Sequence, residues 1–278
     1  MKPSAVDIDL RRRQVMAILN VTPDSFFAGS RTADEDAIAR RVKEAVDAGC
    51  SIIDVGGYSS RPGAAEVPPE QEWLRVERGV ATVRRLGPGM AVSVDTFRSE
   101  VVERVVERFG AVIVNDISAG ELDPRMCAVV ARHGLPYVAM HMRGTPASMQ
   151  EMTAYRNVAE EVAGYFREKT AALEAAGVRR DRIVLDPGFG FAKTLEQNYE
   201  LLAGLNRIRA LGYPLLAGVS RKSMIYRLLG TTPDRALAGT VALGWECLRQ
   251  GASILRVHDV QEAVDTVKLF ETYTRNLG

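Results

Sequence analysis

Cysteine and histidine are scarce in this chain of 278 residues, with three of each. The cysteines stand at 50, 127 and 247 without CxxC spacing. An odd number cannot pair completely, so neither a disulfide scaffold nor a thiolate zinc site is expected. The histidines, at 133, 141 and 258, form neither HxxxH nor HExxH, which argues against a catalytic zinc centre. Charge of one sign is missing too. Lys+Arg 36 against Asp+Glu 35 leaves +1, and nothing in that balance points to a nucleic acid or membrane partner. No apolar run reaches the length of a membrane span. Residues 1–14 are polar, close on Arg11, Arg12 and Arg13, and lack the apolar core of a secretory signal. They are read as an N-terminal segment with a solvated basic edge, and the cytoplasm is the expected location. A GxxxxGK[ST] phosphate loop is absent.

What remains is the balance of a globular protein, 46% hydrophobic and 26% charged. Eight short apolar runs read as strands buried on both faces: 15–19, 51–55, 90–94, 111–114, 136–140, 182–185, 213–219 and 252–257. Between them, residues 34–48, 99–109, 157–176, 195–211, 222–229, 234–250 and 260–273 carry apolar side chains at helical spacing. Ser99 is read as a helix cap ahead of an acidic first turn. Gly49, Gly110, Gly134, Gly177, Gly212 and Gly251 follow helix ends, where a left-handed residue closes the last turn. Eight alternating units in a chain of this length predict an α/β fold, a single (β/α)8 TIM barrel over residues 15–278. A doubly wound open sheet is the competing architecture.

In such a barrel the site forms at the C-terminal strand ends. The polar residues there are Asn20, Asp54, Asp95, Asn115, Asp116, His141, Asp186, Ser220, Arg221, Lys222, Arg256 and His258. A lone acid after a strand is often a cap or a satisfied turn residue, and Asp54 is read that way. A whole ring of such groups in one concave mouth needs a ligand or mutual pairing. Asp95, Asn115 and Asp186 suit the N–H donors of a flat heterocycle. Lys222, Arg256 and His258 offer positive charge and donors, which suit a phosphate or diphosphate. Together they suggest a polar heterocycle joined to an anionic leaving group. Two loops rich in Gly, Pro and Ser, around Asp24 and around Arg61, read as lids over that mouth. In the dense motif at 186–193 (DPGFGFAK), Phe189 and Phe191 either wall an aromatic substrate or cap the core. Met140 is the expected pocket contact of the run 140–142.

These motifs have a familiar order. ILNVTPDSF at 18–26, SSRPG at 59–63, SVDT at 93–96 and VNDI at 114–117 come first. MHM at 140–142, LDPGFGF at 185–191, SRKS at 220–223 and RVHDV at 256–260 follow. With them the chain resembles the dihydropteroate synthase family, the folate-pathway target of sulfonamides, over essentially its whole length. The resemblance implies a (β/α)8 barrel and a homodimer. It also implies condensation of 6-hydroxymethyl-7,8-dihydropterin diphosphate with 4-aminobenzoate, releasing diphosphate. It assigns Asp95, Asn115, Met140, Asp186, Lys222 and Arg256 to the pterin. Asn20, Arg256 and His258 go to the diphosphate, with Asn20 also on Mg2+. Ser60, Arg61, Pro62, Phe191, Lys222 and Ser223 form the aminobenzoate pocket, and Asp24, Arg61 and Lys222 stand at the reacting centre. Two stretches depart from the family. Ser60 stands where a Thr is usual, keeping the hydroxyl without the methyl, and residues 27–30 read FAGS in place of SDGG. Two other readings share the pterin pocket: a methyltransferase acting on a corrinoid protein, and a silent paralogue that only binds pterin. Release of diphosphate separates all three.

The two lid loops lack the apolar content to pack down unaided, and each carries one charge near its tip, Asp24 and Arg61. Aminobenzoate is therefore expected to bind weakly to the free protein and well once diphosphate and Mg2+ are present. Calorimetry with and without those two additions checks this; equal affinities would mean a preformed pocket.

Overall fold

The computed structural model describes residues 9–10, 12–22, 31–58 and 66–277. Eight strands alternate with helices: β1 (Gln14–Asn20), β2 (Ile52–Gly56), β3 (Ala91–Asp95), β4 (Ile113–Asp116), β5 (Tyr137–Met140), β6 (Ile183–Asp186), β7 (Leu216–Ala217) and β8 (Ile254–Val257). All pair in parallel in the order β6-β5-β4-β3-β2-β1-β8-β7. One bridge, Leu185 to Leu215, joins β6 to the β7 side. Beside it the Leu185 N–H donates to Pro214 O at 2.9 Å. The ring so formed is the (β/α)8 barrel.

Side chains on a strand alternate between faces, and here the two faces have separate cores. Met16, Ile52, Ile113, Val138, Val184, Leu216 and Ile254 face inward and pack with Leu10 into an apolar plug. Val15, Ala17, Ile53, Val55, Val94 and Val114 face outward into the layer shared with the helices. Because both faces are buried, the strands read as nearly continuous apolar runs.

The helices among the described residues are α1 (Arg31–Asp47), α2 (Pro69–Leu86), α3 (Ser99–Phe109), α4 (Met126–His133), α5 (Val158–Ala175), α6 (Leu195–Ala203), α7 (Leu205–Arg209), α8 (Ser223–Tyr226), α9 (Leu237–Arg249) and α10 (Val260–Arg275). Two of them, α2 and α4, were not among the expected stretches. The apolar face of α2, Trp73, Val76, Val80 and Val83, has helical spacing, but Pro68, Pro69 and Gly79 break its composition. In α4 the eight residues MCAVVARH make barely two turns, too few to establish a helical period. The stretch 195–211 is two helices, broken at Gly204, where a Cβ would meet the Ala159 Cβ of α5 at 2.4 Å. Ser99 is not a cap: Arg98 holds that position, and the Ser99 N–H donates to the Asp123 carboxylate at 2.8 Å. All six glycines expected after helix ends have positive φ.

Asp116, one of the polar strand ends, turns to the outer face of β4 and is fully buried. Its carboxylate accepts from Ser118 N (2.8 Å), Ser118 Oγ (2.7 Å), Gly120 N (2.9 Å) and Tyr137 Oη (2.8 Å). It braces the β4–α4 connection and takes no part in the mouth. Asp116→Ala would leave several of these donors buried and unpaired, so urea unfolding should show a loss of at least about 2 kcal/mol. A loss near zero would mean that water replaces the carboxylate.

Candidate active site at the barrel mouth

One step beyond the apolar plug, the inward positions change character. The register aligns Ile18 with Asp54, Asp54 with Ser93, and Asp95 with Asn115. On the far side Met140 aligns with Asp186, and Arg256 follows Ile254 two residues along β8. The alternation that buries the plug therefore also gathers these polar groups.

Arg256 ties them together. Its Nε donates to Asp54 Oδ2 at 2.7 Å and its Nη2 to Asp95 Oδ2 at 2.6 Å. Asn115 Nδ2 donates to the same Asp54 oxygen at 3.0 Å. Asp54 is fully buried, and its Oδ1 is a buried oxygen with no partner. The reading of Asp54 as a cap or turn residue is thus corrected: it joins Arg256 of β8 to Asn115 of β4. Counting two residues on from inward-facing Ile52 would have placed it there.

Burial dominates the electrostatics. It pushes the Asp95 carboxyl up to about 7, with Arg256 the largest opposing influence and Asp54 adding to the rise. Burial also raises the pKa of Asp186, opposed chiefly by Lys222; Asp186 Oδ1 accepts the Gly188 N–H at 2.8 Å. Lys222 is brought down to about 8 by burial, against the pull of Asp186. Arg256 feels the same desolvation, yet Asp54 and Asp95 more than offset it and hold its pKa above the ordinary arginine value. His258 falls to about 4 through burial and then Arg256. It is therefore neutral near pH 7 and offers a hydrogen bond rather than the positive charge expected from sequence. Ser220 Oγ accepts the His258 N–H at 3.1 Å and lies 3.1 Å from Nδ1. Donation from that hydroxyl to Nδ1 would leave the ring's proton on Nε2.

Lys222 Nζ donates to Phe189 O and lies 4.9 Å from the centre of the Phe191 ring. Phe189 is fully buried in the core, whereas Phe191 is half-buried beside the lysine. Phe189 thus takes the core reading, and Phe191 stands where a ligand beside Lys222 could reach it. Met140 packs with Ile117, Met142, Met149 and Ala192, flanked by Phe97 and Phe191. Ser223, half-buried, begins α8. Arg221 leaves this group: its guanidinium pairs with Asp259, Nη2 to Oδ1 at 2.6 Å. His141 also leaves it, facing the outer layer with its ring edge-on to Tyr165 at 4.9 Å.

At the rim, a Cβ on Gly56 would stand 3.5 Å from Asn20 Oδ1 and 3.6 Å from Asp95 Oδ2, so those two side chains flank the glycine. Asp24, Ser60, Arg61 and Pro62 lie outside the described residues. Among the described residues no three His, Cys, Asp or Glu side chains gather to hold a metal ion. One amide oxygen with no carboxylate cage suits Mg2+ that arrives on substrate phosphates and keeps its waters.

Residues 16–258 match the family described as pterin binding enzyme. The chain belongs to that family. Among its pterin-binding relatives, the dihydropteroate synthase of Escherichia coli K12 is 44% identical over 267 residues, covering 95% of this chain and 93% of that protein. A solved structure of Xanthomonas albilineans dihydropteroate synthase with 4-aminobenzoic acid has a TM-score of 0.88 at 37% identity, covering 95% of this chain and 94% of that one. Another, of the same organism's enzyme in complex with 7,8-dihydropteroate, has a TM-score of 0.85 at 34% identity, with 96% and 95% covered.

Were Asp95 to hold a pterin by accepting two N–H donors, it would have to do so as a carboxylate. Its pKa is raised, so that form is lost as pH falls through about 7. Affinity for a pterin analogue that does not itself titrate there should weaken as pH falls through that interval in the wild type, and the slope should be smaller in Asp95→Asn, where Lys222 still titrates near it. Calorimetric titrations about one unit either side of that value read the slope; a slope unchanged in the variant would place the titration on another group.

Proposed function

We propose that this pterin-binding barrel condenses 6-hydroxymethyl-7,8-dihydropterin diphosphate with 4-aminobenzoate, giving 7,8-dihydropteroate and diphosphate. The observation that carries this reading is the division of one mouth. Acid and amide groups (Asp95, Asn115, Asp186), suited to a heterocycle's donors, share it with Lys222, Arg256 and His258, which supply cations and a donor for an anion. The dihydropteroate synthases named above are similar over nearly the full chain.

The reaction exchanges a C–O bond at an exocyclic CH2 for a C–N bond. Diphosphate leaves with the bonding electron pair, and the arylamine nitrogen attacks and gives up a proton to water. An arylamine is already nucleophilic at neutral pH, so no side-chain base is required. The protein's task is to stabilise separated charge with fixed groups. Asp95 and Asp186 favour positive charge on the dihydropterin ring. Arg256 places permanent charge on the leaving-group side, and neutral His258 adds a hydrogen bond. Lys222 joins the two halves, with Asp186 on the pterin side and Phe191 walling the aminobenzoate. By resemblance, Ser60, Arg61, Pro62 and Ser223 complete that wall, and Asp24 and Arg61 stand near the reacting carbon. Asn20 would hold Mg2+, which neutralises charge on the diphosphate when bound. The chain acts as a homodimer in the cytoplasm. The resemblance and the exposed Leu269, Tyr273 and Leu277 at and after α10 support the dimer. No helix among the described residues is long and apolar enough to cross a membrane.

Supplying both substrates and measuring diphosphate is the decisive assay; pterin binding without release would leave a binding protein. Asp186→Asn should weaken binding of a pterin analogue by about 2–5 kcal/mol, since an amide brings a donor where two donors must be accepted. Near wild-type affinity would remove Asp186 from the pocket. Lys222→Ala should impair the use of both substrates, and unaltered turnover would make Lys222 structural.

A further inference from the structure

Lys193 lies behind the mouth, only 4% exposed. Burial brings its pKa down to about 7, and in the ammonium form its three donors have three partners within reach. Nζ donates to Gly188 O at 3.0 Å and to Phe191 O at 2.9 Å, and lies 3.1 Å from His141 Nδ1. The histidine is buried as well, and that burial, with Lys193 next, holds its ring neutral, so Nδ1 is free to accept. The two carbonyls are the ends of one tight turn, since the Phe191 N–H also donates to Gly188 O at 3.1 Å. Gly188 and Gly190 have φ of +69° and +82°, and Ala192, a residue with a Cβ, has +50°. A Cβ at Gly188 would stand 2.1 Å from His141 O, so the turn sits directly on the backbone beyond β5.

The other side of that turn holds the catalytic lysine. Phe189 O receives the Lys222 ammonium, and the Phe191 ring stands 4.9 Å from it. Asn198 steadies the middle of the turn by accepting the Gly190 N–H at 2.6 Å. Nothing in this arrangement brings Lys193 to the mouth; its reach ends on the turn.

We propose that Lys193 is a positioning residue: by clasping the 188–191 turn against His141 it sets the place of Lys222 and Phe191, and so the aminobenzoate side of the site. The inference rests on the reading of the mouth as a dihydropteroate-forming site. Asp95, Asn115 and Arg256 come from other strands and pair with one another and with Asp54, so that half of the pterin seat is independent of the clasp, whereas Asp186 touches the turn through the Gly188 N–H.

Lys193→Met keeps the stem and removes the donors. The expected result is a KM for aminobenzoate raised about tenfold with kcat reduced, from a misplacement of under about 1 Å. The KM for the pterin diphosphate should rise severalfold less, since Asp95, Asn115 and Arg256 keep their places. His141→Leu, which removes only the acceptor, should shift the aminobenzoate KM in the same direction, whereas His141→Gln, which retains an acceptor, should restore it. Lys193→Met combined with His141→Leu should be no worse than Lys193→Met alone. If Lys193→Met does not fold, the His141 pair carries the same comparison. A lowered melting temperature with both KM values unchanged would reduce Lys193 to a structural residue and overturn the proposal. So would an equal rise in both KM values. Wild-type protein that releases no diphosphate would sink the functional reading itself; normal wild-type turnover with an unmoved variant KM would sink the clasp alone.

Discussion

Closing eight parallel strands into a ring leaves each inward position one of two fates. It fills the barrel with apolar volume, or it opens on the mouth and must find polar company. The alternation along each strand permits no third arrangement, because a slip of one residue exchanges the inner and outer faces. Ile52 and Asp54 of β2 illustrate both fates on one strand. So do Ile254 and Arg256 of β8. The geometry that packs the plug thus delivers carboxylates and a guanidinium to one cavity.

Bringing charge into that cavity costs desolvation, and the mouth meets the cost by sharing partners. Arg256 divides its donors between Asp54 and Asp95, and Asp54 divides one oxygen between Arg256 and Asn115. Removing one member of such a buried set leaves the others uncompensated, which is dearer than the pair's net worth. The same burial leaves Asp95 and Lys222 close to neutrality in their titration. The groups that face substrate respond to it easily, while Arg256 stays charged.

Much of this was legible beforehand, and the exceptions have physical causes. The strands announce themselves because both faces are buried, and each expected run overlaps a strand of the barrel. α2 and α4 are less legible: α2 opens on two prolines and carries Gly79 in its interior, and α4 has only eight residues. Asp95, Asn115, Asp186 and Arg256 do share the mouth, as their places at strand ends imply. Asp54 departs from the local role usual for a lone acid after a strand; its direction follows from the alternation that puts Ile52 inside the barrel. The charge on His258 was also misjudged, since residue type says nothing of burial or of the neighbouring guanidinium. Nor does the motif at 186–193 disclose which phenylalanine turns inward; that depends on a turn whose shape is held by a lysine at its end.

The ring has one slender joint. β7 contributes two residues, and a single bridge with its neighbouring hydrogen bond spans the gap to β6. Elsewhere successive strands are stitched by registers of two to five aligned pairs. Such a hoop yields first at its clasp. Asp186 stands one residue past Leu185 on one lip, and Lys222 follows from the other, so a small spreading there lengthens the span between acid and base while Asp54, Asp95, Asn115 and Arg256 keep their spacing. The thinnest seam of the ring thus runs through the sector where Asp186 and Lys222 stand.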